Sequence, residues 1–244
     1  MSKIVLSKRL TAIADMVTKG NRICDIGCDH AHIAIYLILQ GFIPYAIAMD
    51  INNGPLERAR EQIKIYGLQE KIETRLSDGF KSLRVGEADT VIISGMGGRL
   101  MQAILTDAQS KTMSLKELIL GPQSELPAFR RYLRMNGFQT VNEDLVLEED
   151  KYYPIIKVVP NPNKPDKADK KETEATIIAD CYGYIPLKER NPVLLKYLKR
   201  EQKITSEIIN QINNGSYSTK KNDKKLKELK KKAAELNDLI GMWG

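Results

Sequence analysis

Three cysteines in 244 residues, with no even framework of spacings, exclude a disulfide-stapled scaffold and point to a reducing compartment. An uninterrupted apolar run of about 20 residues, the length a membrane-spanning helix needs, is also missing. The longest apolar stretch, from Ala31 to Met49, is broken by Gln40, Gly41 and Pro44. No signal-peptide pattern opens the chain, so a cytoplasmic enzyme without membrane association is the expectation. What is present, 42% hydrophobic and 28% charged residues, suits one medium domain with a full core plus a smaller appendage.

Glycine is scarce where it matters most. The stretch from Asn21 to His32, N-R-I-C-D-I-G-C-D-H-A-H, reads as strand, tight turn and helix, but it holds one glycine, Gly27, where a dinucleotide fingerprint has three. The remaining positions are Cys28, Asp29, His30 and Ala31, and Asp25 and Asp29 would repel a pyrophosphate. Two carboxylates beside a glycine turn suit a ligand with positive charge, and S-adenosyl-L-methionine carries a sulfonium and an α-amino group. Gly27 would let such a ligand approach the backbone N–H groups of the turn. The plainer alternative is an ordinary α/β turn with an Asp cap. Cys24, Cys28, His30 and His32 resemble a metal cluster, yet no second ligand pair lies downstream and Cys24 falls on a core-facing position. No metal site is expected, and Cys24 reads as a small buried hydrophobe.

In chain order, Leu6, Leu10, Ile13, Ala14 and Val17 predict an amphipathic lid helix whose polar side, Ser7, Lys8 and Arg9, faces solvent or a substrate. Tyr45 to Asp50 reads as a second strand, and Asp50 lies 23 residues after Gly27, close to the spacing at which an acid accepts hydrogen bonds from a ribose diol. A helix with Leu56, Ala59, Ile63 and Tyr66 runs from Pro55 to Gly67, and Ile72 to Leu76 forms a third strand. The following Ser77-Asp78-Gly79 either sets an acid within reach of an adenine amino group or is a plain turn. Thr90 to Ser94 is the most strand-like run, and Gly95-Met96-Gly97-Gly98 after it allows close approach to a ligand, a mobile turn or tight helix packing. A helix from Arg99 to Leu105, a strand at Leu118 to Leu120, a helix at Leu126 to Asn136 and strands near Thr140 to Leu147 and Tyr153 to Val159 complete the pattern. Strands alternate with helices and two strands close the series, which defines an α/β doubly wound sheet ending in a hairpin-like pair.

Four segments, D-I-G-C-D-H-A-H, A-M-D-I-N-N-G-P-L, R-L-S-D-G-F and I-I-S-G-M-G-G, appear in this order and resemble the motifs of class I S-adenosylmethionine-dependent methyltransferases. More narrowly they resemble the bacterial tRNA (adenine-22 N1)-methyltransferase family, TrmK. The resemblance covers residues 1 to 160 in motif and the tail in character. It implies a Rossmann-like domain over 1–160, S-adenosyl-L-methionine as cofactor and tRNA as partner, with no obligate protein partner evident. It also implies that Asp25, Gly27, Asp50, Asp78 and Gly95 belong to the cofactor site, with Asp29 and His30 at its mouth; Cys28, His30, Ile51, Gly79 and Met96 are taken with them as cofactor contacts. Asp29, which follows the glycine turn at the cofactor's methyl end, is the catalytic candidate, a carboxylate placed to stabilise the charge that methylation leaves on adenine. His30 and His32 are the weaker candidates for that role. Where the family pattern has Gln-Pro-Asn after the fifth strand, this sequence has Gly121-Pro122-Gln123. A small-molecule methyltransferase, or a non-catalytic RNA-binding or protein-interaction module on the same fold, are the alternatives. The first leaves the basic tail unused and the second leaves the cofactor acids unused.

That tail begins beyond Pro160. Residues 1–159 carry 20 Lys+Arg against 19 Asp+Glu, whereas 160–244 carry 18 against 12, so the tail holds +6 of the net +7. Asn161 to Lys171 reads as a Pro-rich charged linker. A helix from about Pro192 to Ile212 follows, with Leu194, Leu198, Ile204, Ile208 and Ile212 on one side, then an Asn213-Asn-Gly-Ser turn. A second helix carries Leu226, Leu229, Ala233, Leu236, Ile240 and Trp243 at 3-4-3-4-3 spacing, the seam of an antiparallel coiled-coil hairpin over 161–244. Lys220, Lys221, Lys224, Lys225, Lys227, Lys230, Lys231 and Lys232 crown its tip and flanks, as a solvated face or as a phosphate-backbone contact.

Overall fold

The computed structural model describes residues 4–161, 172–214 and 220–244, with the side chains of 220–222 left aside. Most of the expected linker, Gly215 and Ser216 of the expected turn, and the side chains of Lys220 and Lys221 therefore lie outside the described residues. The chain divides into two compact units, Met1–Ile185 and Pro186–Gly244.

The first unit is built on a seven-stranded sheet: β1 (Ile23–Ile26), β2 (Ala46–Asp50), β3 (Ile72–Leu76), β4 (Thr90–Ser94), β5 (Glu117–Gly121), β6 (Phe138–Glu148) and β7 (Lys151–Pro160). Its order is β3-β2-β1-β4-β5-β7-β6, with β1 to β5 parallel and β7 antiparallel to both of its neighbours. The central strands read as unbroken apolar runs because both faces are covered. Along β4, Val91 and Ile93 enter one core with α4 (Gly98–Asp107) and α6 (Leu126–Met135). Ile92 between them enters the other, with α1 (Lys8–Asp15), α2 (His32–Leu39) and α3 (Asn53–Ile65). Cys24 is fully buried in the core on the α4 side, the small hydrophobe that its strand position implies. A one-turn helix α5 (Gln109–Thr112) follows α4.

Helix α1 is a core element more than a lid. Ile13 is fully buried, Ser7 Oγ accepts the Leu10 N–H as N-cap, and the Lys8 N–H donates to Glu148 Oε1 at 2.7 Å. Another element joins this unit beyond Pro160: α7 (Glu174–Tyr182), capped by Thr173, packs on α6. There Arg130 pairs with the buried Glu143 at 2.7 Å and donates to the carbonyls of Asp180 and Cys181, while Arg134 pairs with Asp180 at 2.8 Å. Helix α8 (Tyr184–Lys188) crosses the division between the units.

The second unit is a pair of packed helices, α9 (Pro192–Asn214) and α10 (Lys220–Gly241). Asn191 caps α9 and Pro192 occupies its first position, as an N-terminal proline should. Leu194, Leu198, Thr205, Leu236 and Leu239 are buried. Thr205, not the expected Ile204, takes the seam position: Ile204 is 40% exposed, because the step from Leu198 to 205 is seven residues and keeps the heptad phase that a step to 204 loses. Lys232 pairs with Glu201 at 2.7 Å across the two helices, and the Trp243 indole N–H donates to the Arg190 carbonyl.

Candidate active site

The chain reverses its winding between β1 and β4, and the crevice beyond the carboxyl ends of these strands is where an open α/β sheet binds ligands. A cavity of about 340 Å³ opens there, its lining including Arg9 of α1, Asp25 of β1, Gly27 to His30 in the turn that follows, His32 of α2, Ser94 at the end of β4 with Gly95 after it, and Gln123 after β5. Of the expected site residues, Asp25, Gly27, Cys28, Asp29, His30 and Gly95 meet in this one cavity.

Asp25 faces the same side of the sheet as its register partners Ala48 and Ile92. It is 3% exposed and makes no hydrogen bond or ion pair among the described residues. Burial, with the charge of Asp50 adding to it, raises its carboxyl to about 7. The turn after it is left-handed at Gly27 (φ 79°) and again at the non-glycine residues Asp29 (φ 44°) and Ala31 (φ 55°), a local strain of the kind stored at functional sites. The Gly27 and Cys28 N–H groups both donate to the Met49 carbonyl, at 2.8 and 3.1 Å. These two amides thus tie the turn to β2 and do not face the crevice, contrary to the sequence expectation that the turn's N–H groups would be open to a ligand. The Met96 tip lies 2.6 Å from where a Cβ on Gly27 would sit, so Met96 covers the turn.

Asp29 stands at the cavity mouth. Its carboxylate is 62% exposed and accepts from Arg58 Nη2 of α3 at 2.7 Å, with His30 Nε2 at 3.7 Å. His30 stacks on His32 at 5.1 Å, and burial followed by the neighbouring His30 lowers the His32 imidazole below its ordinary value. Burial drives the Cys28 thiol upward, away from thiolate character. Among the described residues, no three His, Cys, Asp or Glu side chains are arranged to hold a metal ion.

Asp50 and Ile51 stand at the tip of β2. One Asp50 oxygen accepts from the Asn52 N–H at 2.9 Å and the other has no partner among the described residues; Ile51 is 60% exposed. At the tip of β3, Asp78 pairs with Lys81 at 2.6 Å, and Asp78 and Gly79 line a separate cavity of about 140 Å³ beside Ile104 and Lys111. The β4 glycines divide in role: Gly95 lines the main cavity, while a Cβ on Gly98 would lie 2.6 Å from the Ser124 carbonyl oxygen. Gly98 is therefore there for packing against the loop after β5, one of the readings that its sequence left open. Of the two readings that the sequence leaves for Arg9, solvent or substrate, the cavity favours the second, and Gln123, which departs from the family pattern, lines the same cavity. Arg58 is the site residue that sequence reasoning did not name, because no spacing rule links α3 to the turn after β1.

A parallel five-stranded core with a reversed β7 inserted beside β5, in the order β3-β2-β1-β4-β5-β7-β6, defines a class I S-adenosylmethionine-dependent methyltransferase fold. The methyltransferase domain family matches residues 6–156. The tRNA (adenine(22)-N(1))-methyltransferase of Bacillus subtilis strain 168 is 32% identical over 98% of this chain and 99% of its own length. The crystal structure of the B. subtilis m1A22 tRNA methyltransferase TrmK superposes with a TM-score of 0.81 over 98% of this chain and 100% of that one, at 32% identity. The Streptococcus pneumoniae protein Sp1610 in complex with S-adenosyl-L-methionine gives 0.80 over 97% and 100%, at 27% identity. The chain belongs to the tRNA (adenine(22)-N(1))-methyltransferase family.

Proposed function

We propose that this chain transfers the methyl group of S-adenosyl-L-methionine to N1 of adenine 22 in tRNA. The observation that carries this reading is Asp25, a buried carboxylate with no partner among the described residues, opening into the cavity at the switch point. A buried charge without a partner is costly, and here the missing cation is the α-ammonium group of the cofactor. A second acid agrees: the Asp50 oxygen that has no partner among the described residues is available to a ribose hydroxyl. Bound, the cofactor supplies a methyl group activated on a sulfonium.

N1 of neutral adenine already offers an in-plane lone pair, so the main task of the protein is to hold the base in line with that methyl group. We assign to Asp29 the exocyclic amino group of the base, whose protons become more acidic as the ring turns cationic. In support, the Arg58 ion pair fixes the orientation of an otherwise exposed carboxylate at the cavity mouth. The adenine reaches the cavity once unstacked from its RNA neighbours, and the incoming RNA covers the exposed mouth and excludes water.

The Pro186–Gly244 unit is assigned to the tRNA backbone. Lys224, Lys225, Lys227, Lys230 and Lys231 are exposed and make no ion pair among the described residues, a surface suited to phosphates. Transfer of a labelled methyl group to bulk tRNA, followed by nucleoside analysis and mapping of the modified position, tests the reading. Appearance of 1-methyladenosine at position 22 is the expected result, and a labelled product confined to small molecules would remove tRNA as the substrate.

A further inference from the structure

The wall of the main cavity carries one guanidinium, that of Arg9, and no carboxylate among the described residues pairs with it. It lies over the ring of Tyr153 on β7, with Cζ 5.3 Å from the ring centroid. Three other arginines around the sheet are ion-paired: Arg58 with Asp29, Arg75 with Glu73 and Glu87, Arg22 with Asp89. Arg9 is half-buried, where an unanswered charge is less well solvated than on an open surface.

The helix that presents it is held at both ends. Lys8 N–H bonds Glu148 before it, Ile13 and Ala14 are buried behind it, and Lys157 Nζ donates to the Met16 carbonyl at 2.8 Å after it. Arg9 Nη1 lies 3.9 Å from the point where a Cβ on Gly95 would sit, and the side-chain amide of Gln123 lies 3.9 Å from the same point. Two polar side chains, one from α1 and one from the loop after β5, thus converge on the backbone that follows β4. Most of the ordering cost of an anion clamp is already met by folding.

We propose that Arg9, backed by Tyr153 and joined by Gln123, is the oxyanion anchor of this site, receiving either the α-carboxylate of the cofactor or the phosphate of the target nucleotide. The inference rests on the methyl-transfer reading of the cavity. An arginine fork matches the two oxygens of a carboxylate or a phosphate equally well. With Asp25 in the same cavity, Arg9 completes charges complementary to an amino-acid zwitterion. At the rim, the same fork would hold a nucleotide whose base has turned inward.

The test uses the full chain with Arg9→Met and Arg9→Lys. Calorimetry with S-adenosylmethionine and its decarboxylated analogue forms one arm; tRNA binding at several salt concentrations and methyl-transfer kinetics form the other. A carboxylate anchor gives Arg9→Met a loss of about tenfold or more toward S-adenosylmethionine, none toward the decarboxylated analogue, and partial recovery in Arg9→Lys. A phosphate anchor leaves cofactor affinity intact, raises KM for tRNA by about tenfold or more and lowers the salt slope by about one. Should the Arg9 variants fail to fold, Tyr153→Leu removes the platform and is expected to show the same arm more weakly. Equal losses toward both cofactor analogues, or unchanged cofactor and tRNA binding, overturn the proposal. Wild-type protein that binds the cofactor but leaves tRNA unmethylated would overturn the substrate instead, with the cofactor arm still readable because it needs no RNA.

Discussion

Asp25 carries opposite demands at one position: burial favours its neutral form, and a cationic ligand favours its carboxylate. With its carboxyl raised to about 7, the group is protonated in the free protein below that pH and ionised above it. The unfolded chain ionises near 4, so this residue lowers stability progressively as pH rises from about 4 to about 7, and by a constant amount beyond. Cofactor binding should reverse that loss. Titration calorimetry in buffers of different ionisation enthalpy should show release of close to one proton per site near pH 6 and almost none from this group near pH 8, with affinity rising between them. Asp25→Asn should abolish both effects, and a pH-independent wild-type affinity would break the link to Asp25. Asp29 tests differently. If it acts on the base, Asp29→Ala should lower the single-turnover rate on tRNA by about tenfold or more while cofactor affinity stays nearly constant. Equal losses in both would make it a cofactor ligand. Asp25, Gly27 and Asp29 are legible in sequence because all three sit within one turn. Arg58, which orients Asp29, is not, since an ion pair between α3 and the β1 turn depends on how the helix docks.

Element boundaries follow local pattern closely: the apolar runs of β1, β2, β4 and β5 and the helices α2, α3 and α4 appear where periodicity puts them, while the one-turn α5 carries too short a pattern to be read. What pattern leaves open is the job each element does. The run Gly95-Met96-Gly97-Gly98 is compatible with ligand contact, mobility or packing, and its glycines answer separately. A methyl group on Gly98 would meet the Ser124 carbonyl oxygen at 2.6 Å and Phe129 Cβ at 3.2 Å, whereas one on Gly97 would meet only the Ser124 hydroxyl, at 2.9 Å, which can rotate away. Gly98→Ala should therefore cost about 1–3 kcal/mol and lower Tm by several degrees, and it should impair activity by displacing the loop that carries Gln123. Gly97→Ala should be much milder. Thermal melts of the pair check this, and equal Tm values would contradict the packing assignment. The tail shows the same limit, because Ile204 and Thr205 are adjacent and hydrophobicity selects the wrong one while heptad phase selects the buried one.

Across the whole molecule the charge separates cleanly: residues 1–185 carry 24 Lys+Arg against 24 Asp+Glu, and 186–244 carry 14 against 7, so the entire net +7 belongs to the second unit. A chain ending at Ile185 should fold and bind cofactor like the full protein but bind tRNA far more weakly, with a flatter salt dependence. One ending at Pro160 should be less stable, because it removes the partners that α7 supplies to Arg130 and Arg134 next to the buried Glu143. Coincident tRNA-binding curves for the full chain and the 1–185 form, measured at several salt concentrations, would end the assignment of the tail to RNA. Short-range order, meaning strand periodicity, the glycine turn with its acids and the heptad seam, was decided by residues a few positions apart, whose physics is complete in one dimension. The convergence of Arg9, Asp25, Gly95 and Gln123 on one cavity, and the attachment of α7 to the sheet unit, were decided only by folding, because they join segments up to 114 positions apart in the case of Arg9 and Gln123. No local signal encodes which distant cation will be left without a partner.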